Sequence, residues 1–145
     1  MRIYLACTVR GDRGTITAAR HIHGCLVGLG HEVITRHLLE DDVDTAESRL
    51  GDRDVFLRDL AWVEAADAIV AEASGSSYGV GFEVGYTLGR AAETSQRVLV
   101  LYDASRRGTI SRLISGLSDA RAQVLAYESP AEIGPFLEKQ LGRAQ

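Results

Sequence analysis

One hundred and forty-five residues make a single domain rather than two, and a chain of this size can bury roughly 70% of the surface its unfolded state exposes. Hydrophobic residues at 46%, charged residues at 25% and only 2 Pro exclude disorder, while 16 Lys+Arg against 20 Asp+Glu leave a net charge of -4 that disfavours a nucleic-acid partner. No apolar run reaches the ~20 residues a membrane span requires. The start Met1-Arg2-Ile3-Tyr4 enters a strand at once rather than a signal peptide, so a cytoplasmic protein is expected. Cys7 and Cys25 have neither CxxC nor zinc spacing and read as two buried hydrophobes in a reducing compartment.

Short β-rich runs alternate with amphipathic stretches along the whole chain, the rhythm of a parallel sheet with crossover helices. The first strand is expected over Arg2 to Val9, closed by the loop Arg10-Gly11-Asp12-Arg13-Gly14, with a helix from Thr15 to Leu29 ended by Gly30. His31 to His37 reads as the second strand, and the acidic stretch Glu40 to Asp52 as a long irregular segment of the kind that forms lids or recognition loops. A helix capped by Asp52 or Asp54 runs to Ala66, and Ala68 to Ala73 forms a central third strand. The turn Ser74 to Tyr78 leads into a helix over Gly79 to Glu93. Arg97 to Tyr102, a short helix near Thr109 to Gly116, Ala122 to Tyr127 and a terminal helix from Pro130 to Leu141 complete the count. The expected fold is α/β: one three-layer domain over 1–145, with an open parallel five-stranded sheet of Rossmann or flavodoxin-like order 2-1-3-4-5. In such a sheet the ligand sits beyond the carboxyl ends of the strands, near the switch between the first and third.

Asp59 draws attention first. At about 100° per residue it falls inside the apolar arc drawn by Val55, Phe56, Leu60, Trp62, Val63 and Ala66. A carboxylate on such a stripe either pairs with something buried or faces a pocket where desolvation raises its pKa. Glu83 follows Gly79-Val80-Gly81 at the start of the next helix, where unpaired N–H groups favour negative charge, so it is expected to stay ionised and able to act as a nucleophile. Two acids with opposed environments suit glycoside chemistry, one holding a proton and the other attacking or stabilising the sugar carbon.

The loop from Thr8 to Gly14 stands where α/β proteins receive phosphates. It lacks both the dinucleotide GxGxxG spacing and a Walker Gly-Lys-Ser/Thr, leaving a hydroxyl, a guanidinium and the small-residue backbone around Gly11 to cradle one phosphate monoester, with Arg13 reading equally as a solvated surface charge. His21 and His23 lie on different helix faces and cannot chelate one ion, so no metal is expected; His37, at the end of the second strand, is better placed for a ligand. Tyr4 alone is an ordinary strand residue.

Three segments together resemble the 2'-deoxynucleoside 5'-phosphate N-hydrolases, a branch of the nucleoside 2-deoxyribosyltransferase-like group. They are Ile3 to Gly11, Arg58 to Asp67, and Ala71-Glu72-Ala73 through Gly85, with a fainter echo at Thr109-Ile110-Ser111. The resemblance implies Glu83 as the nucleophile on C1' of the deoxyribose, Asp59 as the proton source for the departing base, and Tyr4 orienting Glu83. It implies Ser77, Gly79, Arg10 and Thr8 around the 5'-phosphate, His37 near the base, no cofactor, and a homodimer in which Ser111 reaches the partner's phosphate. Asp103 to Gly108 and Glu40 to Asp52 depart from the family pattern, and base preference is expected to lie in the second. Transfer of the deoxyribosyl group to another base, and cleavage of a ribonucleotide such as CMP, stay open as alternatives. A phosphoacceptor signalling module of the same strand order lacks its acidic cluster here.

Overall fold

The computed structural model describes residues 1–90 and 92–144. β1 (Arg2–Ala6), α1 (Ile16–Gly28), β2 (Glu32–Val33), α2 (Val43–Glu47), α3 (Asp52–Ala65) and β3 (Ala68–Glu72) occupy the first half. α4 (Tyr78–Gly89), β4 (Arg97–Asp103), α5 (Arg112–Ser115), β5 (Ala122–Tyr127) and α6 (Ile133–Leu141) follow. All four strand pairings are parallel, and the order is β2-β1-β3-β4-β5, as expected.

Strand alternation distributes the core to two faces. Ile3, Leu5, Val70, Leu99 and Leu101 pack against α1 and α6, whereas Tyr4, Ala6, Ile69, Ala71, Val98 and Val100 face α3 and α4. β3 is buried along its entire length, which is why it reads as an uninterrupted apolar run up to Glu72. In register, Tyr4 lies beside Ile69 and Ala6 beside Ala71, so β1 and β3 end level and diverge into oppositely placed helices. The crevice they open there is the one the strand order requires.

Several boundaries differ from expectation for identifiable reasons. The second strand has two residues rather than seven, because the Thr35 hydroxyl donates to Leu5 O at 2.7 Å and accepts from Leu5 N at 3.0 Å. A side chain thus takes over the edge of β1, and the chain turns into a 3₁₀ segment at Arg36–Leu39, so His37 belongs to that turn and not to a strand. The acidic stretch is not irregular either: α2 forms within it, turning Val43 and Glu47 inward and leaving its other charges in water. Gly51 caps α3, with Asp52 and Asp54 in the first turn rather than at the cap. Within α3 only Val63 is buried; Phe56 is 48% exposed, so much of the apolar arc expected to face the core is uncovered in one chain. Cys7 is buried, but Cys25 is only partly so. Among the described residues no helix is long and apolar enough to cross a membrane.

Candidate active site

A cleft of about 380 Å³ opens beyond the carboxyl ends of β1 and β3, with Tyr4 and Glu83 at its floor and Asp59 in its wall. Tyr4, from β1, has no exposed surface, and its hydroxyl donates to Glu83 Oε1 at 2.5 Å. Burial and the neighbouring carboxylate push the phenol's pKa up, so it stays a proton donor. Glu83 lies past the first turn of α4, and desolvation, not helix-end N–H groups, governs its charge. Its pKa is pushed up to about 7; the Tyr4 hydrogen bond pulls it down and the nearby Asp59 pushes it further up. The expectation of a permanently ionised helix-start acid is therefore corrected: Glu83 titrates near neutrality.

Asp59 Oδ1 accepts from Arg58 Nε at 2.8 Å and is ion-paired with Nη2 of the same guanidinium at 2.7 Å. Desolvation nevertheless raises its pKa overall, against the pull of that guanidinium. The two acids share one cleft, as expected, but the anticipated contrast between a bare acid and a proton-holding acid is replaced by two raised acids, one steadied by a phenol and the other by a guanidinium.

The N-terminus of α4 forms the adjoining wall. Ser77 is its cap, its Oγ accepting from Val80 N at 3.4 Å, and Ser77, Tyr78 and Gly79 all line the cleft. Unpaired N–H groups at such a terminus suit an anion. Arg10 also lines the cleft, with its Nε on Asp44 Oδ1 of α2 at 2.8 Å across an exposed pair that an incoming anion can displace. Thr8 is placed differently from expectation: it is 4% exposed, and its hydroxyl donates to Gly75 O at 2.7 Å, stapling two loops together. Gly11 is exposed, with a φ of 111° that turns the loop beside it.

The model of the nucleoside 2-deoxyribosyltransferase family matches residues 3–120, a span that includes the floor, both acids and the α4 terminus. The chain belongs to this family. It is 33% identical over 140 residues to a human 5-hydroxymethyl-dUMP N-hydrolase, covering 94% of this chain and 77% of that one. It is 32% identical over 143 residues to the 5-hydroxymethyl-dUMP N-hydrolase of Esox lucius, covering 96% and 94%. Its fold superposes on that of a Clostridium botulinum CMP N-glycosidase with a TM-score of 0.66 at 17% identity, over 97% of this chain and 100% of the other.

Besides Thr8, two expected family positions, His37 and Ser111, lie outside the cleft lining. His37 stands edge-on to Trp62 at 5.2 Å between ring centroids, with Nε2 3.6 Å from Glu47 Oε1. Burial and the Arg58 charge lower its pKa, favouring the neutral ring. Ser111 caps α5 and lines a second cavity of about 540 Å³, on the far side of the α4 N-terminus. Within one chain it does not meet Glu83.

Sequence reasoning did not anticipate the support around Asp59. Arg58 bridges Asp59 to Glu47, with Nη2 2.7 Å from each carboxylate, and its guanidinium lies 4.7 Å over the Trp62 ring. The i, i+4 spacings of Arg58 with Trp62, on the expected helix, and of Val43 with Glu47 were the available signals; the second was hidden because the acidic stretch read as a loop.

Proposed function

We propose that this protein hydrolyses the N-glycosidic bond of 2'-deoxynucleoside 5'-monophosphates, releasing the free base and 2-deoxyribose 5-phosphate. The observation that carries the reading is the Tyr4–Glu83 pair facing Asp59 in one cleft beside the α4 N-terminus. Ionised Glu83 attacks C1' as the C1'–N bond breaks. The bonding pair leaves with the base, which takes a proton supplied or relayed by Asp59, and a glycosyl ester forms on Glu83. Water, giving a proton back to Asp59, then attacks C1', breaks the ester and restores the Glu83 carboxylate with net retention. Positive charge developing at C1' is attracted to the ionised Glu83 carboxylate, so the interaction is stronger in the transition state than in the ground state.

Ser77, the Gly79 N–H and Arg10 hold the 5'-phosphate, with Arg10 exchanging Asp44 for it, and Gly11 gives the loop its turn. Thr8 keeps that loop in place. His37 acts through Glu47 and Arg58 at the base end. The scheme draws on the protein's own side chains and backbone.

The working unit in this reading is a homodimer. Phe56 and Phe82, 48% and 51% exposed, form with Tyr86 an uncovered aromatic stripe beside the site, and Phe82 stacks on Tyr86 at 5.8 Å. A second copy seated on this stripe and on the apolar second cavity would bring its Ser111 to the phosphate. The free thiols Cys7 and Cys25 fit a cytoplasmic setting.

Incubation with each deoxynucleotide, its nucleoside and its ribonucleotide, with and without a second free base, tests the reading. Deoxynucleotides should release base, nucleosides should barely react, and added base should change little. Efficient transfer to the added base would identify a transferase instead, and a preference for CMP a ribonucleotide glycosidase.

A further inference from the structure

Glu72, the last residue of β3, is 1% exposed and plays no part in the chemistry above. Strand alternation aims it away from the cleft: Ala71 faces α3 and α4, so Glu72 faces α1 and α6. It cannot touch a sugar lying on Glu83. A buried carboxylate costs several kcal/mol unless hydrogen bonds compensate it, and the groups that compensate this one belong to three separate segments at the carboxyl edge of the sheet.

Thr15 Oγ1, at the start of α1, donates to Glu72 Oε2 at 2.7 Å. The Ser74 N–H, in the turn before α4, donates to Oε1 at 3.2 Å, and the Tyr127 hydroxyl at the end of β5 lies 3.5 Å from the same oxygen. Ser74 extends the lock, its Oγ accepting from Asp103 N at 2.8 Å. Immediately beyond, a Cβ added to Gly75 would stand 2.4 Å from Asp12 O and 2.9 Å from Thr8 Oγ1, so the two loops are in backbone contact there. One buried acid thus sets the turn that delivers Ser77 and Gly79 against the loop that delivers Arg10.

We propose that Glu72 is a positioning residue for phosphate recognition, fixing the Ser74–Ser77 turn against the Thr8–Thr15 loop so that the α4 N-terminus and Arg10 converge on one phosphate monoester. This rests on the nucleotide hydrolase reading for the identity of the substrate. Its own claim concerns only where the phosphate is held.

The test measures the affinity of 2-deoxyribose 5-phosphate and of inorganic phosphate by calorimetry, alongside kcat and KM on a reactive deoxynucleotide, for the wild type, Glu72→Ala, Glu72→Gln and Thr15→Val. Glu72→Ala strands buried donors and should weaken both ligands and raise KM about tenfold or more, with kcat changed less than about threefold. Glu72→Gln keeps an oxygen for the Ser74 N–H and should return affinity to within a few-fold of wild type. Thr15→Val, which removes one arm, should fall between. A folded Glu72→Ala with unchanged phosphate affinity, or with kcat lowered at constant KM, overturns the proposal. Should Glu72→Ala fail to fold, unchanged affinity in Thr15→Val overturns it equally. A wild type that binds 2-deoxyribose 5-phosphate but hydrolyses no nucleotide defeats the hydrolase reading alone, and Glu72 is then judged by binding; a wild type that binds neither ligand defeats both.

Discussion

Tyr4 reaches Glu83 from the neighbouring strand, its hydroxyl 2.5 Å from Oε1, and neither residue has another hydrogen-bonding side chain so close among the described residues. The phenol favours the ionised carboxylate, while the apolar surroundings favour the protonated one, and burial is the larger influence on Glu83. The balance leaves the pKa of Glu83 at about 7.

Tyr4→Phe removes the one side-chain donor that stabilises the Glu83 carboxylate. The acidic limb of the kcat/KM profile, which reports the free enzyme, should move to higher pH, and activity at pH 7 should fall about tenfold. Raising the pH should recover part of the loss. A pH-rate series on the two proteins checks this.

The same displacement has a stability consequence. A carboxyl whose folded pKa lies above its unfolded one binds its proton in the folded state while the unfolded state has already lost it. Stability therefore falls as pH rises from the ordinary carboxyl range to about 7, and levels off above it. Glu83→Gln, which still accepts from Tyr4, should lack that decline and exceed the wild type by on the order of 2 kcal/mol above pH 7, with little difference near pH 4. Thermal melts of both proteins across this range measure the gap.

Asp59→Asn keeps the contact with Arg58 but carries no exchangeable acid proton. Release of bases that leave poorly without protonation should slow by about 10²-fold or more, with KM changed little. Comparing natural nucleotides with one bearing an activated leaving group should show the activated one largely spared.

Phe82 lies half-exposed on the aromatic stripe. Phe82→Asp should shift a dimer toward monomer in analytical ultracentrifugation and lower activity with it. Mixing an inactive Glu83→Ala chain with an inactive Ser111→Ala chain should restore part of the activity, because one hybrid site would then be whole.

Strand order and the location of the cleft were readable from the sequence, since β3 and β4 are continuous apolar runs and the crossover helices carry a helical period. Asp59 and Glu83 were each singled out, as the misplaced acid on α3 and the glycine-flanked acid on α4, but their meeting in one cleft was implied by the family resemblance and not by their spacing. What the sequence concealed were tertiary substitutions for local rules. Thr35 replaces a strand ladder with its hydroxyl, Thr8 spends its proton on Gly75, and α2 forms inside an acidic stretch because Val43 and Glu47 are buried together. The charge state of Glu83 was misjudged for a related reason: helix position was weighed, but the depth of the cleft depends on Tyr4, seventy-nine residues away.

Rapid acid quench of enzyme mixed with a reactive deoxynucleotide, followed by peptide mass spectrometry, tests the central claim most directly. The peptide containing Glu83 should carry the mass of 2-deoxyribose 5-phosphate as an ester, and Glu83→Ala should show neither adduct nor turnover. An adduct on a different residue, or wild-type turnover in Glu83→Ala, would contradict the account.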